Sequence, residues 1–438
     1  MDDQMLDELF EVLRIPSVST GEPDRDGLRA AAEWYAERVR RAGGDADVVP
    51  TDTNPLVVGE LRANAPDAPT VLLYAHYDVQ SVGDRDLWET DPFEPVVRDG
   101  RIYARGASDN KGNSWPTVWT ACELAAAGEL PVNVRVFVEG EEEAGSWSAM
   151  EWIETDARGA DCCIVFDSGT LDPSIPAITL GTRGIVQCLV EVRTAVRDVH
   201  SGIYGGSVHN AAHVMTRLLS AVLPDERGDV RPELAQGVQP VPEAEQATWA
   251  ELPPGDLVIE MGGARAITPD AGERYHLRNG AQPSVDVTMV SGGEPRTIVP
   301  AVVRANVTMR LAPGQRHDQM RETLERLMRE QVPDGVDATF SWDKGCDAAA
   351  FDAESPPLRI AREAFEAGCG RPAMLIRLGG SIPILAPLAN RGIQTILSGF
   401  ATPFDQIHAP NESYPLESLE QGVRVSDQLF RRLAVLPR

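Results

Sequence analysis

The residues best suited to chemistry fall at the ends of apolar runs. "VLLYAHYDVQ" begins like a buried strand and closes in His76, Tyr77 and Asp78. "VNVRVFVEGEEEAGS" closes in Glu139, Glu141, Glu142 and Glu143. "DCCIVFDSG" closes in Asp167, and "QTILSGF" leads through a loop to His408. Asp109 lies in "ASDNKG", just ahead of a helical run. In an open parallel sheet, ligands bind beyond the carboxyl ends of the strands. Two histidines and several carboxylates are therefore expected on one sheet edge. Carboxylates crowded in that way repel and raise one another's pKa, and a cation relieves the conflict. Mixed His and Asp/Glu donors suit Zn²⁺, with Mn²⁺ or Co²⁺ as alternatives. One ion would leave donors over, whereas two ions about 3.5–4 Å apart with a shared carboxylate use them all. Residues two apart on a strand share a face, so Asp78 is placed to orient His76 through its far ring nitrogen.

Such ends need an α/β frame. Apolar spacing predicts helices over 2–13 and 26–41, the second stopped by Gly43-Gly44. "DADVVP" and "PLVVGEL" read as strands, and "GNSWPTVWTACELAAAG" as a helix with Pro116 in its first turn. Strands alternating with helices indicate a mostly parallel sheet. The middle of the chain differs. "GIVQCLVEVRTA", "PSVDVTMVSGG" and "VVRANVTMRLAP" alternate apolar and polar residues, the mark of antiparallel strands with one exposed face. With helices at about 209–223 and 316–331 they make a ferredoxin-like βαββαβ unit. Residues 224–282, rich in Pro, Gly, Glu and Asp, read as an irregular insertion. The expected architecture is a discontinuous α/β domain, 1–183 with 346–438, carrying an inserted α+β domain, 184–345.

Bulk properties exclude several classes. At 438 residues, 42% hydrophobic and 24% charged, this is an ordinary globular composition. A net charge of −27 argues against nucleic acid and anionic membranes as partners. "MDDQMLDELF" has no basic start and no apolar core, and no run approaches a membrane span, so a cytoplasmic protein is expected. The six cysteines form no CxxC pair and no disulfide framework. His209 and His213 are read as one helical turn apart, without a carboxylate partner; His276 and His317 are read as surface residues.

Taken together, "AHYDVQ", "DPFEPVVRDGRIYARGASDNKG", "EGEEEAGS", "GTRG", "RDVHSGIYGG", "RLGGSIP" and "IHAPNE" resemble the co-catalytic di-zinc peptidases. That family includes aminoacylases, carboxypeptidase G and carnosinases. The long "DPFEP…RGASDNKG" block is most similar to the carnosinase and cytosolic nonspecific dipeptidase branch. The resemblance implies a zinc-peptidase domain with an inserted lid that also dimerises. It implies two divalent ions, one on His76 and Asp167, the other on Glu143 and His408, with Asp109 as the bridge. Glu142 would be the general base and Asp78 the residue behind His76. His200 would reach the active site of a neighbouring subunit in a homodimer. Arg310 would bind a substrate carboxylate, with Ser381 and Gly380 lining the same pocket. Leu378 stands where several dipeptidases carry an acid. The implied substrate is a dipeptide or, alternatively, an N-acyl amino acid; an inactive metal-dependent binding protein is the remaining reading.

Overall fold

The computed structural model describes residues 2–170 and 174–437. The strand Thr70–His76 explains the rest of the frame. It lies between Asn133–Glu139 and Cys162–Phe166, parallel to both, and Thr395–Ser398 continues the parallel set beyond Cys162–Phe166. Its side chains are covered on both faces, as parallel strands require. Val71, Leu73 and Ala75 enter a core shared with the helices Asp3–Leu13, Arg25–Arg41, Lys111–Ala126, Pro356–Cys369 and Leu416–Leu433. Leu72 and Tyr74 enter a second core, closed by Trp147–Thr155 and Leu385–Asn390. The full sheet has nine strands and is mixed. Antiparallel strands Leu56–Leu61 and Asp45–Val49 extend it on one side. On the other side, Ala177–Thr182 pairs antiparallel with Thr395–Ser398 and parallel with Met374–Leu378.

The middle of the chain forms a separate four-stranded antiparallel sheet. Its spatial order is Ser284–Ser291, Val302–Leu311, Gly184–Arg193, Asp337–Trp342. The helices Ala211–Ser220 and His317–Arg329 cover one face, over a core that includes Val190, Met215, Leu218, Val307 and Leu324. This is the ferredoxin-like βαββαβ arrangement. The chain passes between the two sheets twice. The two crossing segments are bonded to each other, Ile185 N–H to Cys346 O at 2.9 Å and Cys346 N–H to Ile185 O at 3.0 Å.

Four local expectations are corrected. Pro116 lies in the second turn of its helix, because the helix already starts at Lys111. Its first-turn bond, Ser114 N–H to Asn110 O, is 2.9 Å. The 224–282 insertion is not wholly irregular: it holds three short helices, Glu243–Thr248, Gly255–Met261 and Tyr275–Ala281, and two 3₁₀ turns within otherwise irregular chain. Pro242 and Pro254 immediately precede the first two helices, so these prolines start helices. Their fixed φ suits an entry point. His209 precedes the capping residue Asn210, so it does not share a helical turn with His213. His276 and His317 are half-buried; His276 Nε2 lies 2.9 Å from Pro253 O and His317 Nδ1 2.7 Å from Asp347 Oδ1. No described helix is long and apolar enough to cross a membrane.

Candidate metal centre

The parallel strands deliver their polar ends to one edge. His76 pairs in register with Glu139, the last residue of the neighbouring strand. His76 Nε2 lies 3.2 Å from Asp109 Oδ1 and 3.4 Å from Asp167 Oδ1. The other oxygen of Asp109 lies 3.1 Å from His408 Nε2, which is also 3.2 Å from Glu143 Oε2. Two donor groups result, His76–Asp109–Asp167 and Asp109–Glu143–His408, each with its donor atoms within 4.8 Å of one another. Asp109 belongs to both, one oxygen facing each group.

The supports lie behind these donors. His76 Nδ1 is 3.3 Å from Asp78 Oδ1 and 3.1 Å from the Asp78 carbonyl oxygen. The Asp78 carboxylate also accepts Ser19 Oγ–H at 2.6 Å and the Glu142 and Glu143 N–H groups at 3.2 and 3.1 Å. Asp78 therefore fixes a ligand on one side and the Glu142–Glu143 turn on the other.

Glu412 is a support that a reading by residue type does not reveal. It closes the "IHAPNE" motif, fully buried, and accepts the N–H groups of Gly106, Ser108 and Asp109. Arg105 Nη1 donates to it at 2.6 Å. It holds the Asp109 loop as a cap holds a helix start. Asn110 likewise donates to Asp167 Oδ1 at 2.5 Å and to Phe166 O at 2.7 Å. The only advance signal for either was a polar residue inside a motif.

Electrostatics show what the cluster lacks. Burial pushes Glu142 well above the carboxylate range, and Asp167, Glu143 and Asp109 add to it. Burial also raises Glu143 and Asp167. Hydrogen bonds to Asp109 and Glu143 push His408 up to about 10. Burial disfavours charged His76, but Asp167, Asp109 and Asp78 outweigh it and hold its pKa well above normal. A divalent ion would favour the charged carboxylates and neutral imidazoles that burial opposes. Glu143 Oε1 is buried with no hydrogen-bond partner. An oxygen-and-imidazole donor set with a free carboxylate oxygen fits a pair of divalent ions.

Arg310 lies on Val302–Leu311 of the four-stranded sheet. Its Nη1 donates to Ser381 Oγ at 3.0 Å, and Ser381 Oγ donates to the Arg183 carbonyl at 2.6 Å. Arg183 N–H bonds the Gly380 carbonyl at 3.1 Å, and its guanidinium bonds Gly379, Gln282 and Ser284. Burial and then Arg310 bring its pKa down to about 10. His200 stands apart. It is exposed, and its Nδ1 accepts Gly202 N–H at 3.0 Å. No recorded contact joins it to the metal donors among the described residues.

The chain is 27% identical to the Cys-Gly metallodipeptidase dug1 of Schizosaccharomyces pombe, over 99% of this chain and 96% of that protein. It is 27% identical to the human Beta-Ala-His dipeptidase, over 97% and 86%. A crystal structure of the M20 family metallo-carboxypeptidase Sso-CP2 from Sulfolobus solfataricus superposes with a TM-score of 0.89 at 26% identity, covering all of both chains. The profile of Peptidase family M20/M25/M40 matches residues 72–432. With that match spanning most of its length, the chain belongs to peptidase family M20/M25/M40.

Proposed function

We propose that the protein is a metal-dependent hydrolase of the amide bond in dipeptides. The observation that carries this reading is Asp109, whose two oxygens face two separate histidine-containing donor groups. The names of the dipeptidase relatives support the substrate class. In this reading, 1–183 with 346–438 is the catalytic domain and 184–345 the lid. His76 and Asp167 would hold one ion, Glu143 and His408 the other, and Asp109 both, with zinc the metal best suited to the donors. When bound, the ions would lower the pKa of a water and polarise the scissile carbonyl.

The remaining work falls to the chain. Glu142 follows the buried Glu141 in the turn that Asp78 pins by its N–H. It would take the proton of the attacking water and pass it to the leaving amine. Arg310, whose planar fork matches a carboxylate, would hold the substrate's C-terminus beside Ser381 and Gly380. His200 of a second subunit would donate a hydrogen bond to the tetrahedral oxygen. Exposed Val196 (96%) and Ile203 (72%), close to His200 in the chain, support a homodimer formed through the lid. All six cysteines are free, which supports a reducing, cytoplasmic setting.

The test is metal analysis followed by a dipeptide panel. We expect up to two divalent ions per chain and loss of turnover on chelation. Amidating the substrate's C-terminus should lower kcat/KM by about tenfold or more, about 1.4 kcal/mol. Full turnover after verified metal removal, or indifference to amidation, would overturn the corresponding part of the reading.

A further inference from the structure

A cleft of about 240 Å³ opens beside Asp109 and Asp167. Its walls include Ile376, Leu378, Ala401 and Ile407. Among the described residues, Asp109 and Asp167 are its only charged lining groups. Both are proposed ion ligands, so with ions bound their charge is largely met by the metals, and the described wall opposite them is apolar. An apolar group placed against Ile376, Leu378, Ala401 and Ile407 would gain by burial.

The wall that carries Ile376 and Leu378 is held from outside. Among the described residues Met374–Leu378 pairs only with Ala177–Thr182, and its register shifts between Ile376 and Leu378. The 224–282 insertion backs this strand. Arg377 donates from Nε and Nη2 to the two Glu245 oxygens at 2.6 and 2.9 Å. Both side chains are buried, at 7% and 6% exposure. Leu252 of the insertion packs on the Ala177–Met374–Ile376 cluster, as Leu378 does.

We propose that this cleft receives an uncharged apolar part of the substrate, and that the insertion positions its Ile376–Leu378 wall through the Arg377–Glu245 pair. The inference rests on the amide-hydrolase reading for the bond beside the cleft. The apolar part is either an acyl group on nitrogen or an apolar first side chain. Glu245 is a positioning residue, since it does not itself line the cleft.

Calorimetry on metal-loaded, full-length Glu142→Gln protein reads binding without turnover. One arm uses N-acetyl-, N-butyryl-, N-hexanoyl- and N-benzoyl-glycine. The other uses Gly-Gly, Leu-Gly and Phe-Gly. Affinity should climb about tenfold or more along at least one arm, and the arm that climbs identifies the source of the apolar group. Adding Leu378→Asp should flatten that series and strengthen binding of free-amine dipeptides. Two flat series would overturn the cleft assignment. Adding Glu245→Ala should flatten the series, and Glu245→Gln, which keeps one acceptor and the side-chain shape, should largely restore it. Unchanged binding in the folded Glu245→Ala protein would overturn the positioning role. Wild-type hydrolysis of the same compounds is scored separately. Graded binding with no hydrolysis would overturn the amide-hydrolase reading alone, and hydrolysis with flat binding would overturn the cleft alone.

Discussion

His76 and His200 both end strands, and both are candidates for chemistry, yet their surroundings are opposite. His76 is fully buried with both ring nitrogens engaged, one by Asp78 and the other by Asp109 and Asp167. His200 is exposed and makes one local bond, to the N–H two residues on. The first is oriented by its own chain before anything binds. The second has one local bond among the described residues, which leaves its ring exposed for a partner to fix. A metal ligand needs a fixed geometry, and burial with paired carboxylates supplies it.

The contrast can be broken at its strong end first. Glu142→Gln keeps every proposed ligand and removes the base, so kcat should fall by about 10²–10⁴ with metal content unchanged. A near-normal kcat would move the base elsewhere. At the weak end, His200→Ala should cost about 10²–10³ in kcat, the usual effect of losing one oxyanion donor. Mixing it with Glu142→Gln under subunit exchange should restore activity, because one site in the mixed dimer is then intact. Confirmed exchange without recovery would return His200 to its own chain. Glu412→Gln sharpens the comparison from behind the ligands. It places an amide donor against backbone N–H groups, so ion affinity should drop about 10–100-fold, readable by competition with a chelating dye.

The smallest effect concerns His317, intermediate between the other two histidines. Its bond to Asp347 raises its pKa. A raised folded pKa stabilises the fold fully below the ordinary value of about 6.5, and the stabilisation fades as pH rises through the raised value. His317→Ala should therefore lower Tm more at about pH 5.5 than at about pH 9. The difference should be roughly 1–2 °C. An equal drop at both would leave only packing as the cause.

What could be read from the sequence follows the same division. A polar cluster was visible because apolar runs stop in polar residues, the family resemblance picked out five of them, and His76, Asp109, Glu143, Asp167 and His408 do converge. The βαββαβ order was visible from alternation such as that of Gly184–Arg193. Mixed flanks to the central sheet were not, since apolar runs such as Ala177–Thr182, buried at every position, carry no direction. The insertion's short helices were not legible because Pro and Gly mark breaks and helix entries alike, and only packing on Met374–Leu378 decides between them. Glu412 was missed because a carboxylate serving backbone N–H groups looks the same in sequence as one serving an ion.

The two bonded crossings at Ile185 and Cys346 have a mechanical consequence. Two adjacent, paired strands act like a strap: a body hung from them alone can swing about that line. The Arg377–Glu245 pair adds an attachment away from the strap. A body tied at a further point can no longer swing freely; it moves only by bending the tie or breaking it. Any swing of the four-stranded sheet would therefore pull on the 224–282 segment, and a single protease nick near Glu245 should slacken that tie.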